Sequence, residues 1–141
     1  MPARYRFLPE HNCLYLRFED PFLFGKADDL VTAFTADPAF SRSHTLIFDF
    51  SRLTNIRVDV TGSADKVAKV GKNLSRHGGQ IAVLAPTETG RSMAELLRKL
   101  WAHFPQVGYH VFATEADLLH HVGLERECWD VLGSDFHGTT S

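Results

Sequence analysis

The sequence is poor in the patterns that usually announce chemistry. It has only two cysteines, Cys13 and Cys128, far apart in the chain. They make neither a metal-type pair nor the framework of a stapled fold, so two reduced thiols are expected. No apolar run approaches the roughly 20 residues that span a bilayer. The opening Met1-Pro2-Ala3-Arg4-Tyr5-Arg6 carries charges with no apolar segment behind them. Neither stable membrane insertion nor a secretory leader is therefore expected, and the reading is cytoplasmic. An excess of one charge is missing too. Fifteen Lys and Arg stand against 17 Asp and Glu, a formal net charge of −2, which gives no drive towards nucleic acid.

Each common catalytic signature is also absent. Gly-x-Ser-x-Gly does not occur. Thr89-Gly90-Arg91-Ser92 lacks the lysine and spacing of a phosphate-binding loop. Eight histidines contain no His-x-x-x-His pair, the adjacent His120 and His121 point to different faces of a helix, and His11-x-Cys13 is too short to count. Zinc needs three or four convergent ligands. Neither cysteine has a persuasive base nearby. The expectation is a protein without cofactor, metal or catalytic residue; an enzyme would need Asp49, Asp59 and a histidine to converge in space.

What is present is one domain's worth of chain, 141 residues with 44% hydrophobic composition. Eleven phenylalanines imply either a bulky core or an aromatic-lined pocket. Arg4–Leu8 and Cys13–Glu19 read as strands near a sheet edge with one wet face, joined by the turn residues Pro9-Glu10-His11-Asn12. From Lys26 to Ala36 the apolar positions Ala27, Leu30, Val31 and Phe34 have helical spacing, and Pro38 ends that helix. Thr45–Phe50 is a strand covered on both faces. A second helix follows over about Thr61–His77, closed by Gly78-Gly79. Gln80–Ala85 is a buried strand stopped at Pro86. Met93, Leu96, Leu97, Leu100, Trp101 and Phe104 form the cleanest amphipathic stripe, with Ser92 and Glu95 at capping-box spacing near its start. A last strand, Tyr109–Ala113, leads into a short helix capped by Thr114. The order β-β-α-β-α-β-α-β-α implies an α/β fold with a mixed, mostly parallel five-stranded sheet and about four helices. The domain is expected to cover 1–124, with 125–141 as a partly disordered tail whose Trp129 and Leu132 dock on the body or on a second copy, leaving a homodimer open.

With these elements in place the chain resembles the STAS-like group, the SpoIIAA-like fold of anti-sigma-factor antagonists. The likeness is carried by Tyr5-Arg6-Phe7, Leu14-Tyr15-Leu16-Arg17-Phe18, and Ala36-Asp37-Pro38-Ala39-Phe40 ahead of a strand ending in Asp49. Ile81–Pro86 and Val111–Leu119 complete it, so that it extends over about residues 4–124. The resemblance implies a regulatory module that binds another protein. In the antagonists a serine at the start of the helix after the central strand is phosphorylated, which switches partner binding. Here Arg57-Val58-Asp59 stands where Asp-Ser-Ser is expected, and the nearest hydroxyls, Thr61 and Ser63, align only with a gap. The resemblance also implies a looser capacity to hold small apolar molecules.

Three places remain as candidate sites. Asp49, Ser51, Thr54, Asp59, Thr61 and Ser63 lie at the carboxyl end of a buried strand and the start of a helix, where open α/β sheets bind ligands and a helix start favours anions. These residues either carry a partner contact and phospho-switch or merely cap the helix. The apolar connection Asp20-Pro21-Phe22-Leu23-Phe24-Gly25 puts Phe22 and Phe24 opposite Leu97, Trp101 and Phe104, either around an apolar ligand or plugging the core. Lys66, Lys69, Lys72 and Arg76 form a basic row on one helix face, a contact for an acidic partner or a solvated surface.

Overall fold

The computed structural model describes residues 3–19, 22–23, 32–54, 56–57, 63–130, 132 and 138–140. Strands β1 (Ala3–Leu8) and β2 (Cys13–Glu19) form an antiparallel hairpin in which Leu8 faces Cys13. A single 3-10 turn, Pro9–His11, joins them, and Asn12 closes it at φ 54°. That left-handed conformation is one Asn tolerates well. The short β3 (Phe22–Leu23) pairs in parallel with β5 (Ile56–Arg57), apart from the main sheet. Residues 32–35 are helical, ending just ahead of Asp37, whose carboxylate accepts from Ala39 N to open the 3-10 turn Pro38–Arg42. The earlier residues of the helix expected from Lys26 lie outside the described residues.

The remaining units alternate. They are β4 (Thr45–Arg52), α1 (Ser63–His77), β6 (Gln80–Leu84), α2 (Glu88–Trp101), β7 (Gly108–Phe112) and α3 (Glu115–Val122). The single-turn α4 (Arg126–Asp130) and β8 (Gly138–Thr140) follow. The main sheet runs β7-β6-β4-β2-β1-β8. The pairs β2–β4, β4–β6 and β6–β7 are parallel, and β1–β2 and β1–β8 antiparallel. This is the mixed, mostly parallel α/β sheet that the alternating pattern implies. The five expected strands are joined by β8, formed by residues the sequence reading left disordered.

Alternation along the strands divides the core in two. Leu14, Leu16, Phe18, Leu46, Phe48, Phe50, Ile81 and Val83 face one side, under Val70 and Leu74 of α1 and Met93, Ala94, Leu97 and Trp101 of α2. Tyr15, Ile47, Ala82 and Leu84 face the other, under Leu118, Leu119, Leu124, Trp129 and Leu132. The phenylalanines are spent mainly on the first core. Phe18 meets Phe50 edge-on at 5.2 Å, and Phe34 tilts against Phe40 at 5.4 Å. Such edge and tilted arrangements suit the ring quadrupoles.

Two local expectations are corrected. Strand β2 does not border water: it lies between β1 and β4, and Cys13 to Leu16 and Phe18 are all buried. The cause is Trp129, which sequence placed in a tail and which covers Tyr15 with ring centroids 5.4 Å apart. The cap of α2 is Thr87, whose hydroxyl accepts from Gly90 N at 3.0 Å, not Ser92. Pro86 ends the preceding strand and lets the helix begin at once, so Ser92 and Glu95 fall within it. Other local readings agree. Gly78 closes α1 at φ +64°, and Thr114 caps α3 through Asp117 N. Next to Gly78, Gly79 has no room for a side chain, since a Cβ there would meet the His44 carbonyl oxygen at 2.5 Å.

Among the described residues no helix is long and apolar enough to cross a membrane. Because Trp129 and Leu132 complete the second core, replacing Trp129 by alanine is expected to destabilise the fold by about 3 kcal/mol, the usual range for emptying a buried aromatic site. Urea denaturation of the two proteins checks this; a loss within error of zero would mean α4 contributes nothing to the core.

Candidate functional site

The carboxyl ends of β2 and β4 hold the one cluster of buried polar side chains that links separate strands through a charged group, among the described residues. Asp49 pairs in register with Arg17 on one side and Leu84 on the other. It is only 4% exposed. An ionised carboxylate in such a place is costly unless donors surround it. Here they do. Tyr15 donates its hydroxyl to Asp49 Oδ2 at 2.5 Å, while Ser51 donates both its hydroxyl, at 2.5 Å, and its backbone N–H, at 3.0 Å, to Oδ1. Period-two alternation explains the meeting: Tyr15 and Arg17 on β2 share a face with Ile47 and Asp49 on β4, their partners in register.

Arg17 completes the cluster. Its Nε donates to the Tyr15 hydroxyl at 3.2 Å, its guanidinium lies 5.9 Å from the Tyr15 ring centre, and Nη1 reaches Glu19 at 4.0 Å. A β-bulge between Arg17 and Glu19 shifts the strand at this point. Burial pushes the Tyr15 phenol far above its ordinary range, and the charge and hydrogen bond of Asp49 add to the effect. Tyr15 is thus a fixed donor rather than an acid or nucleophile at neutral pH. Three of the roughly four lone-pair sites of the Asp49 carboxylate accept hydrogen bonds within the cluster.

The sequence candidates fare unevenly. The structure brings Asp49 and Ser51 together, and Thr54 lies just beyond β4, exposed. Ser63 is the first residue of α1, while Asp59 and Thr61 lie outside the described residues. Tyr15 and Arg17 were missed as site residues. Their signal was a pair of polar-tipped side chains two apart on an otherwise apolar strand, the same spacing as Asp49 and Ser51.

Among the apolar candidates, Phe22 belongs to β3 and Phe24 lies outside the described residues. Leu97 and Trp101 are core residues, and Phe104 lies 5.9 Å from the Trp101 ring. A Cβ on Gly71 would come within 2.7 Å of the Phe104 ring, so α1 approaches that ring as only glycine allows. The indole N–H of Trp101 is buried without an acceptor. Of the basic row, Lys72 and Arg76 are exposed. Among the described residues, no group of three or more His, Cys, Asp or Glu is arranged to hold a metal. One expectation needs correction: Cys128 does have a base beside it, because His11 Nε2 lies 3.9 Å from its sulfur. The two residues are joined only by the packing of α4 against the β1–β2 turn, which no local pattern reveals.

No protein-family model matches the chain, and no curated protein matches it. Solved structures do. The phosphorylated form of the Bacillus cell-fate determinant SpoIIAA superposes with a TM-score of 0.54 over 85% of this chain and 98% of that one, at 16% identity. The fold is STAS-like. The solution structure of the protein TM1081 agrees, with a TM-score of 0.54, 14% identity, and 86% and 88% of the two chains covered. On this STAS-like frame, Asp49 lies towards the carboxyl end of β4, the main-sheet strand before the long helix α1.

The three tyrosines, Tyr5, Tyr15 and Tyr109, all have phenols pushed up chiefly by burial. A raised folded value means that stability is fully present below the unfolded value near 10.0 and is lost as pH rises beyond it. Alkaline titration followed by phenolate absorbance is therefore expected to show delayed ionisation in the native chain and ordinary ionisation in urea. In Tyr15→Phe, loss of a hydrogen bond to a charged acceptor should cost about 2 kcal/mol at neutral pH. An ordinary native titration, or an unchanged stability in the variant, would contradict this account of the cluster.

Proposed function

We propose that this STAS-like domain is a non-catalytic regulatory module that works in the cytoplasm by binding another protein. Its contact surface would be the carboxyl ends of β2 and β4 together with the start of α1. The observation that carries this reading is the likeness to SpoIIAA, a determinant of cell fate caught in a phosphorylated form. Local chemistry supports it. A cluster whose carboxylate already accepts three hydrogen bonds suits a rigid platform better than turnover. A phosphate beside the start of a 15-residue helix would meet free backbone N–H groups and a favourable dipole.

Thr61 and Ser63 are the proposed acceptors of that phosphate, and Asp49 and Ser51 stand on the main-sheet strand that precedes them in the chain. Mapping of phosphorylation in the native host is expected to find one of the two hydroxyls modified. Acidic substitutions at both should shift the affinity for a cross-linked and identified partner by about tenfold, or 1.4 kcal/mol. If neither residue is ever modified and the substitutions leave binding unchanged, the switch is wrong. Loss of binding in a surface variant such as Thr54→Arg would locate the contact independently of any phosphate.

A second reading has one observation in its favour. The buried, unpaired Trp101 N–H would be satisfied by the polar end of an apolar ligand inserted between α1 and α2, making the domain a small carrier or sensor. Native mass spectrometry of freshly purified protein separates the two. A co-purifying lipid-sized mass that is lost in Trp101→Phe supports the carrier; the bare chain mass alone rejects it.

A further inference from the structure

We propose that Cys128 and His11 form a thiol–imidazole pair that makes Cys128 a site of thiol–disulfide exchange with low-molecular-weight disulfides. Fold geometry unites the pair across the chain: the Cys128 sulfur lies 3.9 Å from His11 Nε2, within hydrogen-bonding reach of a sulfur. Both groups are reachable, since His11 is exposed on the β1–β2 turn and Cys128 is half-buried on α4. The histidine is held from behind, because its carbonyl accepts the Cys13 thiol at 3.3 Å and the 3-10 turn fixes its backbone.

A thiolate, not a thiol, is the nucleophile, and a neighbouring imidazole is one of the ordinary ways to generate it. In the exchange, the Cys128 proton passes to His11 Nε2. The sulfur then attacks one sulfur of the small disulfide, forming a new S–S bond as the old one breaks. The departing thiolate takes the proton back from the imidazolium and leaves as a thiol. Cys128 is oxidised to a mixed disulfide and half of the small molecule is reduced, with no other reactant needed. Cys13 serves as an internal control: it is 2% exposed, and burial pushes its thiol up to about 11.

The position gives the modification a route to the sheet. Trp129 follows Cys128 on the same short helix and packs on Tyr15, which donates to Asp49. A bulky group on Cys128 therefore bears on the layer that covers the buried carboxylate. Chemical modification itself does not depend on the partner-binding reading.

The test uses the full chain and oxidised glutathione at neutral pH, followed over time by intact mass and peptide mapping. The expected result is a single adduct at Cys128, formed faster in the native chain than in urea. It should be absent in native Cys128→Ser and slowed about tenfold in His11→Asn, with that difference vanishing in urea. Modification of Cys13 first, equal native rates with and without His11, or a native rate below that of the unfolded chain would each overturn the proposal. The comparison of native with unfolded wild-type chain needs no variant, so it decides the matter even if His11→Asn is unstable.

Discussion

The carboxylate of Asp49 is the constraint around which the centre of this protein is organised. It stands on β4, between β2 and β6, in a layer shared with Tyr15, Ile47, Ala82 and Leu84. An ionised group there is tolerable only because Tyr15 and Ser51 supply three donors in fixed directions. That requirement sets the register of β2 on β4, since sliding one strand by a single residue would turn Tyr15 to the opposite face. It also ties the second core to the end of the sheet where the proposed contact lies, because the Tyr15 ring is itself clamped by Trp129.

The two cores differ in kind. The first is wide, aromatic and apolar, and its helices α1 and α2 are long and strongly amphipathic. The second is narrower, built on α3 and a single turn, and it encloses the polar cluster. Stability comes mainly from the first; the second positions charged and hydroxyl groups. Leu97 and Trp101 thus lie under one face of the sheet, while Tyr15 and Ile47, which share the face of Asp49, belong to the other.

Much of the fold was legible because its periods are clean. Leu46 to Phe50 and Ile81 to Leu84 read as covered strands, Met93 to Trp101 as a helix stripe, and Thr114 as a cap, each from local chemistry alone. The errors share one cause, which is coverage from a distance. Strand β2 looked half-wet because nothing near it in sequence announces that Trp129 will cover Tyr15. Cys128 looked isolated because His11 lies at the other end of the chain. Thr87 is a less conspicuous cap than Ser92 because the Ser92–Glu95 spacing stands beside the apolar stripe, whereas the helix begins a turn earlier, just after Pro86. The Asp49 site was half legible: the carboxylate and Ser51 were visible at a strand end, but their donor from β2 required the register.

Parallel pairing also bears on how the chain reaches this state. Among the described residues only the β1–β2 hairpin joins near neighbours; Leu14 must find Leu46, Ile47 must find Ala82, and Val83 must find Val111. Each of these closures spends chain entropy before contacts return it, so the sheet assembles more slowly than the hairpin that starts it. The last cover for the Tyr15 layer is drawn from residues 129 and 132. On a ribosome, Tyr15 therefore waits for its aromatic cover until synthesis has passed Trp129 and that stretch has left the exit tunnel, well after the strand that carries it has been made.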